Sequence, residues 1–387
     1  MQVTLPIKTP FILHGRGALE HLKNFQEKKI LIVTDPVGRQ IFGDKLLEYL
    51  AGKDVVFFDE VEPNPRLGSM NKAGELARSF KPEAIIGIGG GSALDTAKGA
   101  YFLNGQPTMK LTEVQYYVDY GLAKKAKLVL IPTTSGTGSE SSAGCVFTLE
   151  SSGMKIDIIS ADLIPGVIIV DPELTLSMPK SLTVASGVDA LAQAIESSCS
   201  VYINDFLLSL NITAIKTLIK YLPQAAGDGA GDIAVREKVH YAASKVGIAM
   251  GNVCLAIGHA CGHAIGATFP IAHGLTVGAM LPYNIEYNRE QSKAAYNEIL
   301  ESSFNIYGEV RPAARLASEI REFLNELGVP TTARGLGISE EDWNKNFARM
   351  VQFASADTCM RTTPRQPAEG EMAKLLQYAY EGKSIDF

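Results

Sequence analysis

Several things are scarce in this sequence of 387 residues. It has five cysteines, at 145, 199, 254, 261 and 359, an odd number with no Cys-x-x-Cys spacing, which points to free thiols in a cytoplasmic protein. No run of basic residues occurs and the formal net charge is −6, which excludes nucleic acid or an acidic membrane as the principal partner. The opening MQVTLPIKTPFILHG has no charged segment leading into an apolar one, so no secretory signal is expected. There is no internal repeat, low-complexity tract or linker-like segment. Between Val246 and Ile285 there is not one Asp, Glu, Lys or Arg. That stretch is long enough to suggest a membrane span, but three histidines, Asn252, Pro270 and many glycines indicate buried helices and a loop instead.

What is present divides into two halves. Up to about residue 180, short β-branched runs (28–34, 54–58, 83–88, 126–132 and 166–170) read as buried strands, with helical patterns over 39–50 and 67–79. Such alternation predicts a parallel sheet covered on both faces. Residues 145–160 read as a hairpin turning at Ser152-Gly153. From about Ser181 the strand signal gives way to long helical patterns punctuated by Pro282, Pro312, Pro330 and Pro364. The expected domains are therefore 1–180, α/β, and 181–387, all-α, packed tightly with a cleft between them.

Three of the six histidines, His259, His263 and His273, fall inside the uncharged stretch. A buried imidazole needs a partner, since an unsatisfied polar group costs about 1–3 kcal/mol. Asp189, in the apolar segment VDALAQAIES, has the same need. Together they suit a zinc or iron ion, and they equally suit a core whose histidines bond backbone carbonyls.

The segment EAIIGIGGGSALDTAKG runs from strand into glycine turn into helix. Gly89, Gly90 and Gly91 let backbone approach a ligand closely, and Ser92 stands where it can cap the helix and help hold an oxyanion. A hydroxyl-rich loop, PTTSGTGSE, follows another strand and offers Thr133, Thr134 and Thr137. Both loops lie where open α/β sheets bind ligands. Asp35, closing ILIVTD, is placed like an acid that bonds an adenosine ribose, which favours NAD over NADP; a turn or helix cap is its plainer role.

These motifs, with SGVDALAQAIES, GHACGH…PIAHG and a terminal TTPR, resemble the metal-dependent, group III or "iron-containing" alcohol dehydrogenases along nearly the whole chain. The resemblance implies a Rossmann-like N-terminal domain, an all-α C-terminal domain, NAD(H) and a divalent metal. It implies Asp189, His259 and His273 as metal ligands, with Gln193 where the family has a fourth histidine. A glutamine oxygen is the weaker donor toward zinc or iron. It further implies His263 near substrate and nicotinamide as proton relay or structural support, Asp95 on the pyrophosphate helix, and Lys155 near the cofactor. Cys359 would line the substrate pocket. Gly144 stands where some relatives carry a larger side chain and would leave room there. Arg361 stands where relatives have a small residue, and its guanidinium would suit an anionic tail, with sulfoacetaldehyde the first expectation. Alternatives are a general short-chain alcohol or diol dehydrogenase, a metal-free reductase related to maleylacetate reductases, and a dehydroquinate-synthase-like lyase. A homo-oligomer, a dimer, is expected, with a small-molecule substrate and neither nucleic acid nor membrane as partner.

Overall fold

Strand formation follows the β-branched runs. A computed structural model, which describes residues 7–115 and 118–387, contains β1 (Phe11–His14), β2 (Lys29–Val33), β3 (Asp54–Phe58), β4 (Ala84–Gly89), β5 (Lys127–Pro132), β6 (Gly144–Thr148), β7 (Lys155–Ile159) and β8 (Val167–Val170). Six of them form a parallel sheet in the order β1-β8-β5-β4-β2-β3. Its central strands are buried on both faces, which is why they read as unbroken apolar runs: Ile30, Leu31 and Ile32 have no exposure. The remaining pair, β6 and β7, is the antiparallel hairpin, turning through Gly153 at φ 72°. The edge strand β1 escapes the sequence reading because FILH is four residues long and mostly exposed.

Three helices, α1 (Pro36–Tyr49), α2 (Leu67–Phe80) and α3 (Gly91–Gly105), belong to this first unit, Met1–Ser177. From β2 the chain builds outward on one side to β3, then returns to place β4 on the other side of β2. The strand order therefore reverses between β2 and β4. In an open parallel sheet a ligand binds at such a point, beyond the carboxyl ends of the strands. Asp35 follows the end of β2, and the Gly89–Gly90–Gly91 turn follows β4.

The second unit, Met178–Phe387, has only helices among its described regular elements. They are α4 (Lys180–Ser197), α5 (Asp205–Ala226), α6 (Ile233–Val253), α7 (Ile257–Thr268), α8 (His273–Tyr287), α9 (Lys293–Ile299), α10 (Pro312–Glu326), α11 (Glu340–Ala356) and α12 (Glu371–Glu381), with shorter helical turns between some of them. Buried α4 lies in one apolar cluster with α5, α6 and α10, while α7 packs with the C-terminal helices in another. Pro312 opens α10, as a proline at the first helical position should. Pro282, in contrast, lies inside α8 and does not end it. An internal proline costs about 3 kcal/mol, and here the burial of nearly the whole helix outweighs it. The uncharged stretch becomes the end of α6, then α7 and α8. Among the described residues no single helix is long and apolar enough to cross a membrane; α6 and α7 pass together only as a pair bent by 103°.

Candidate functional site

In the first unit, the turn after β4 is shaped by tight contacts. Gly89 has φ +147°, and a Cβ there would come within 2.8 Å of Ala93. A Cβ on Gly91 would come within 2.8 Å of the Thr137 side chain, and one on Gly90 within 3.4 Å of Thr134. The glycine turn and the hydroxyl loop therefore abut, and Thr133 N–H donates to the Gly89 carbonyl at 2.9 Å. Gly90 is the residue before α3, with no side chain capping the helix. Ser92 lies two positions further on, so its expected cap is not made. The uncapped end leaves the positive pole of α3 to a ligand. Asp35 does cap, accepting from Gly38 N–H at 2.8 Å, while its Oδ2 faces Gly89.

Asp95 turns inward. It is buried on α3 and accepts from Ser139 Oγ at 2.5 Å and from Val146 N–H at 3.1 Å. Its carboxylate pins the hydroxyl loop and the hairpin to α3. One turn on, fully buried Lys98 donates to the carbonyls of Ser142 (2.8 Å) and Gly144 (2.6 Å). Burial raises the Asp95 carboxyl and lowers the Lys98 ammonium, each acting against the attraction between them. Lys155, on β7, lies close enough to favour the charged form of Asp95. A Cβ on Gly144 would come within 3.1 Å of the Asp157 carboxylate.

In the second unit, α4 carries Asp189 and Gln193 one turn apart, α7 carries His259 and His263, and His273 opens α8. Gly274 makes the meeting possible: a Cβ there would overlap the Ala185 carbonyl of α4 at 1.9 Å. His259 Nε2 lies 3.5 Å and His273 Nε2 3.4 Å from Asp189 Oδ1. These distances are at or beyond the limit of useful hydrogen bonds. They match two ligand atoms around one tetrahedral ion, which stand about 3.3 Å apart when each bond is near 2.0–2.1 Å. Asp189 Oδ1, His259 Nε2 and Gln193 Oε1 are buried with no hydrogen-bond partner. A divalent ion is what such a donor set fits. Without one, burial opposes charge on Asp189, yet His273 and His259 hold its carboxyl well below the usual range. Burial likewise pushes His259 down, and the Glu196 and Asp189 carboxylates outweigh it, raising the imidazole to about 10.

His263 is separate from that trio. Its Nδ1 lies 2.8 Å from Asp357 Oδ2, and its ring stacks on His273 with centroids 5.1 Å apart. Asp357 also accepts from the Cys359 N–H at 2.9 Å. Burial would raise the Asp357 carboxyl, but His263 holds it down at about 2. Buried Cys359 stands beside half-buried Cys254, whose thiol it shifts below its usual value. Arg361 is exposed and makes no ion pair among the described residues. Sequence reasoning missed Glu196, Asp357 and Cys254, and only the first left a trace, as a charge inside an otherwise apolar helix.

Comparisons with known proteins give the family. The family model for iron-containing alcohol dehydrogenase matches residues 9–172, and that for the C-terminal part of the Fe-containing alcohol dehydrogenase family matches 183–380. An NADPH-dependent butanol dehydrogenase of Clostridium saccharobutylicum is 34% identical, over 100% of both chains. A 1-propanol dehydrogenase, PduQ, of Citrobacter freundii is 31% identical, over 94% of this chain and 96% of its own. The crystal structure of a sulfoacetaldehyde reductase from Bifidobacterium kashiwanohense in complex with NAD+ is similar at a TM-score of 0.84 and 25% identity, covering 98% of this chain and 99% of that one. The chain belongs to the iron-containing alcohol dehydrogenase family and is an oxidoreductase.

Proposed function

We propose that the protein interconverts small primary alcohols and aldehydes using NAD(H) and one zinc or iron ion, with Asp189, His259 and His273 as ligands and Gln193 offering a weaker oxygen. The observation that carries this reading is the set of buried atoms, Asp189 Oδ1, His259 Nε2 and Gln193 Oε1, that nothing among the described residues satisfies. When bound, the ion supplies Lewis acidity to the substrate oxygen and the dinucleotide supplies or takes the hydride.

The chain's own residues do the rest. Asp189 gives the site its single negative charge. Asp357 accepts the Nδ1 hydrogen of His263, which leaves Nε2 as the atom that takes or returns the alcohol proton. Replacing His263 by Ala should lower turnover by about 10²–10⁴-fold with metal content unchanged.

In the first unit, Gly89, Gly90, Gly91 and Ser92 would receive the pyrophosphate at the uncapped end of α3, with Thr133, Thr134, Thr137 and Lys155 on the nicotinamide side. Asp35 beside Gly89 would bond the adenosine ribose and repel a 2′-phosphate. The named relatives include an NADPH-dependent enzyme and an NAD+ complex, and Asp35 supports NAD(H) for this chain. Equal kcat/KM with NADH and NADPH would count against it.

The butanol and propanol dehydrogenases support a short neutral substrate. A second reading, an anionic aldehyde such as sulfoacetaldehyde, is favoured by the exposed Arg361 guanidinium, which makes no ion pair among the described residues. The deciding assay is NADH oxidation over a panel of two- to four-carbon aldehydes and sulfoacetaldehyde, before and after removal of metal by a chelator. Activity should vanish on stripping and return with zinc or ferrous iron. Full activity in rigorously metal-free protein would sink the proposal.

A further inference from the structure

We infer that Glu196 is a positioning residue for the metal centre: it holds the hydrogen of His259 on Nδ1 and so turns the Nε2 lone pair toward the ion. The inference rests on the reading of Asp189, His259 and His273 as ligands. Glu196 stands on α4 seven residues after Asp189, two helical turns along the same face, and it is fully buried. A buried carboxylate without a cation beside it is costly, so its contacts need explaining.

All of the contacts converge on the start of α7. Oε2 accepts from Ala256 N–H at 2.9 Å and from His259 N–H at 3.1 Å. Ala256 precedes α7, which has no capping side chain of its own. Glu196 thus supplies an acceptor at the positive end of that helix, sharing the His259 N–H with the Ala256 carbonyl at 3.1 Å. Oε1 lies 2.9 Å from His259 Nδ1. Room for this is made by Gly258, where a Cβ would come within 2.5 Å of Oε1.

The tautomer follows from donor and acceptor counting. An ionised carboxylate only accepts, and two backbone N–H groups already require acceptance. Were the ring hydrogen on Nε2, the Nδ1 lone pair would face Oε1 across 2.9 Å with no hydrogen between them. With the hydrogen on Nδ1, that contact is a charge-assisted bond, and a bound ion takes the place of the second ring proton at Nε2, which lies 3.5 Å from Asp189 Oδ1. This is how a carboxylate behind a histidine fixes ring orientation and strengthens the ligand nitrogen.

The variant Glu196→Gln makes the test selective. Its one amide oxygen can still serve the two backbone donors, which turns the NH2 toward Nδ1 and favours hydrogen on Nε2, the ligating atom. Zinc affinity measured by competition with a chelator should fall about 10–100-fold. In 15N-histidine NMR of the zinc-loaded natural protein, His259 should carry its hydrogen on Nδ1 and bind through Nε2, a result that needs no variant to fold. Zinc bound through Nδ1 would overturn the inference. So would a Glu196→Gln protein that is less heat-stable yet binds zinc as tightly as the natural chain, because Glu196 would then only cap α7. Failure of the ligand reading itself looks different: Asp189→Asn would leave zinc affinity unchanged.

Discussion

Asp95 and Asp189 are both buried aspartates on apolar helices, one in each unit, and their surroundings treat them in opposite ways. Around Asp95 the protein supplies what is needed: Ser139 Oγ and Val146 N–H bond the carboxylate, and Lys98 answers its charge while bonding two carbonyls. Around Asp189, Oδ1 is left without a hydrogen bond, as are His259 Nε2 and Gln193 Oε1. Buried polar groups are almost always satisfied, so the unsatisfied Asp189 Oδ1 and His259 Nε2, grouped with His273, call for a ligand, and a satisfied cluster calls for nothing more. The first cluster ties the loop after β5 and the hairpin to α3. The second, in the function proposed above, is the socket for the metal.

The strongest way to break this comparison is Asp189→Asn. The only anionic ligand is lost, so metal content should drop to background and NADH-dependent activity with it. Elemental analysis of the purified variant is the check; one ion per chain retained would show that the socket lies elsewhere. Lys98→Met probes the other side. It keeps volume but leaves the Ser142 and Gly144 carbonyls and the Asp95 charge without their partner. Unfolding of the first unit in urea should become easier by about 3 kcal/mol. Zinc binding by the second unit should not change. A Lys98→Met protein of unaltered stability would mean that the satisfied cluster is not framework at all.

The contrast between the two clusters also marks what a sequence shows. The strands were legible because both faces of the sheet are covered, so Ile30, Leu31 and Ile32 could all be apolar. The candidate ligands were legible because Asp189, His259 and His273 are polar residues in apolar text. What was hidden depends on packing between distant segments. Glu196 reaches His259 across 63 residues and Asp357 reaches His263 across 94, and neither spacing carries a helical or strand period. The bonds that Asp95 accepts from Ser139 and Val146, 44 and 51 residues away, were equally hidden. The Asp157 carboxylate beside Gly144 was hidden because it belongs to the other hairpin strand, where it pairs with Val146. Pro282 was read as a stop, because a sequence does not show how much burial its helix has to set against it.

A finer adjustment of the socket is Gln193→His. If Gln193 Oε1 faces the ion, replacing it by imidazole should tighten zinc by about tenfold, the lower end of what single changes around a metal produce. Chelator competition reads this directly, and an unchanged constant would place residue 193 outside the ligand set.

The smallest expected effect concerns Arg361, and the structure changes its size. Read from sequence, an extra guanidinium beside the pocket would lose about 2–5 kcal/mol on truncation, the value for a buried charge pair. Arg361 is exposed, however, and an ion pair in water is worth no more than about 1 kcal/mol. Arg361→Ala should therefore raise KM for sulfoacetaldehyde by up to about fivefold and leave that for propanal unchanged. The difference should shrink further between low and physiological salt, because exposed charges are screened over about 8–10 Å. A rise of a hundredfold would mean that substrate or cofactor closes over the guanidinium and removes it from water. If neither aldehyde responds, the anionic-tail reading fails and the short neutral alcohols remain.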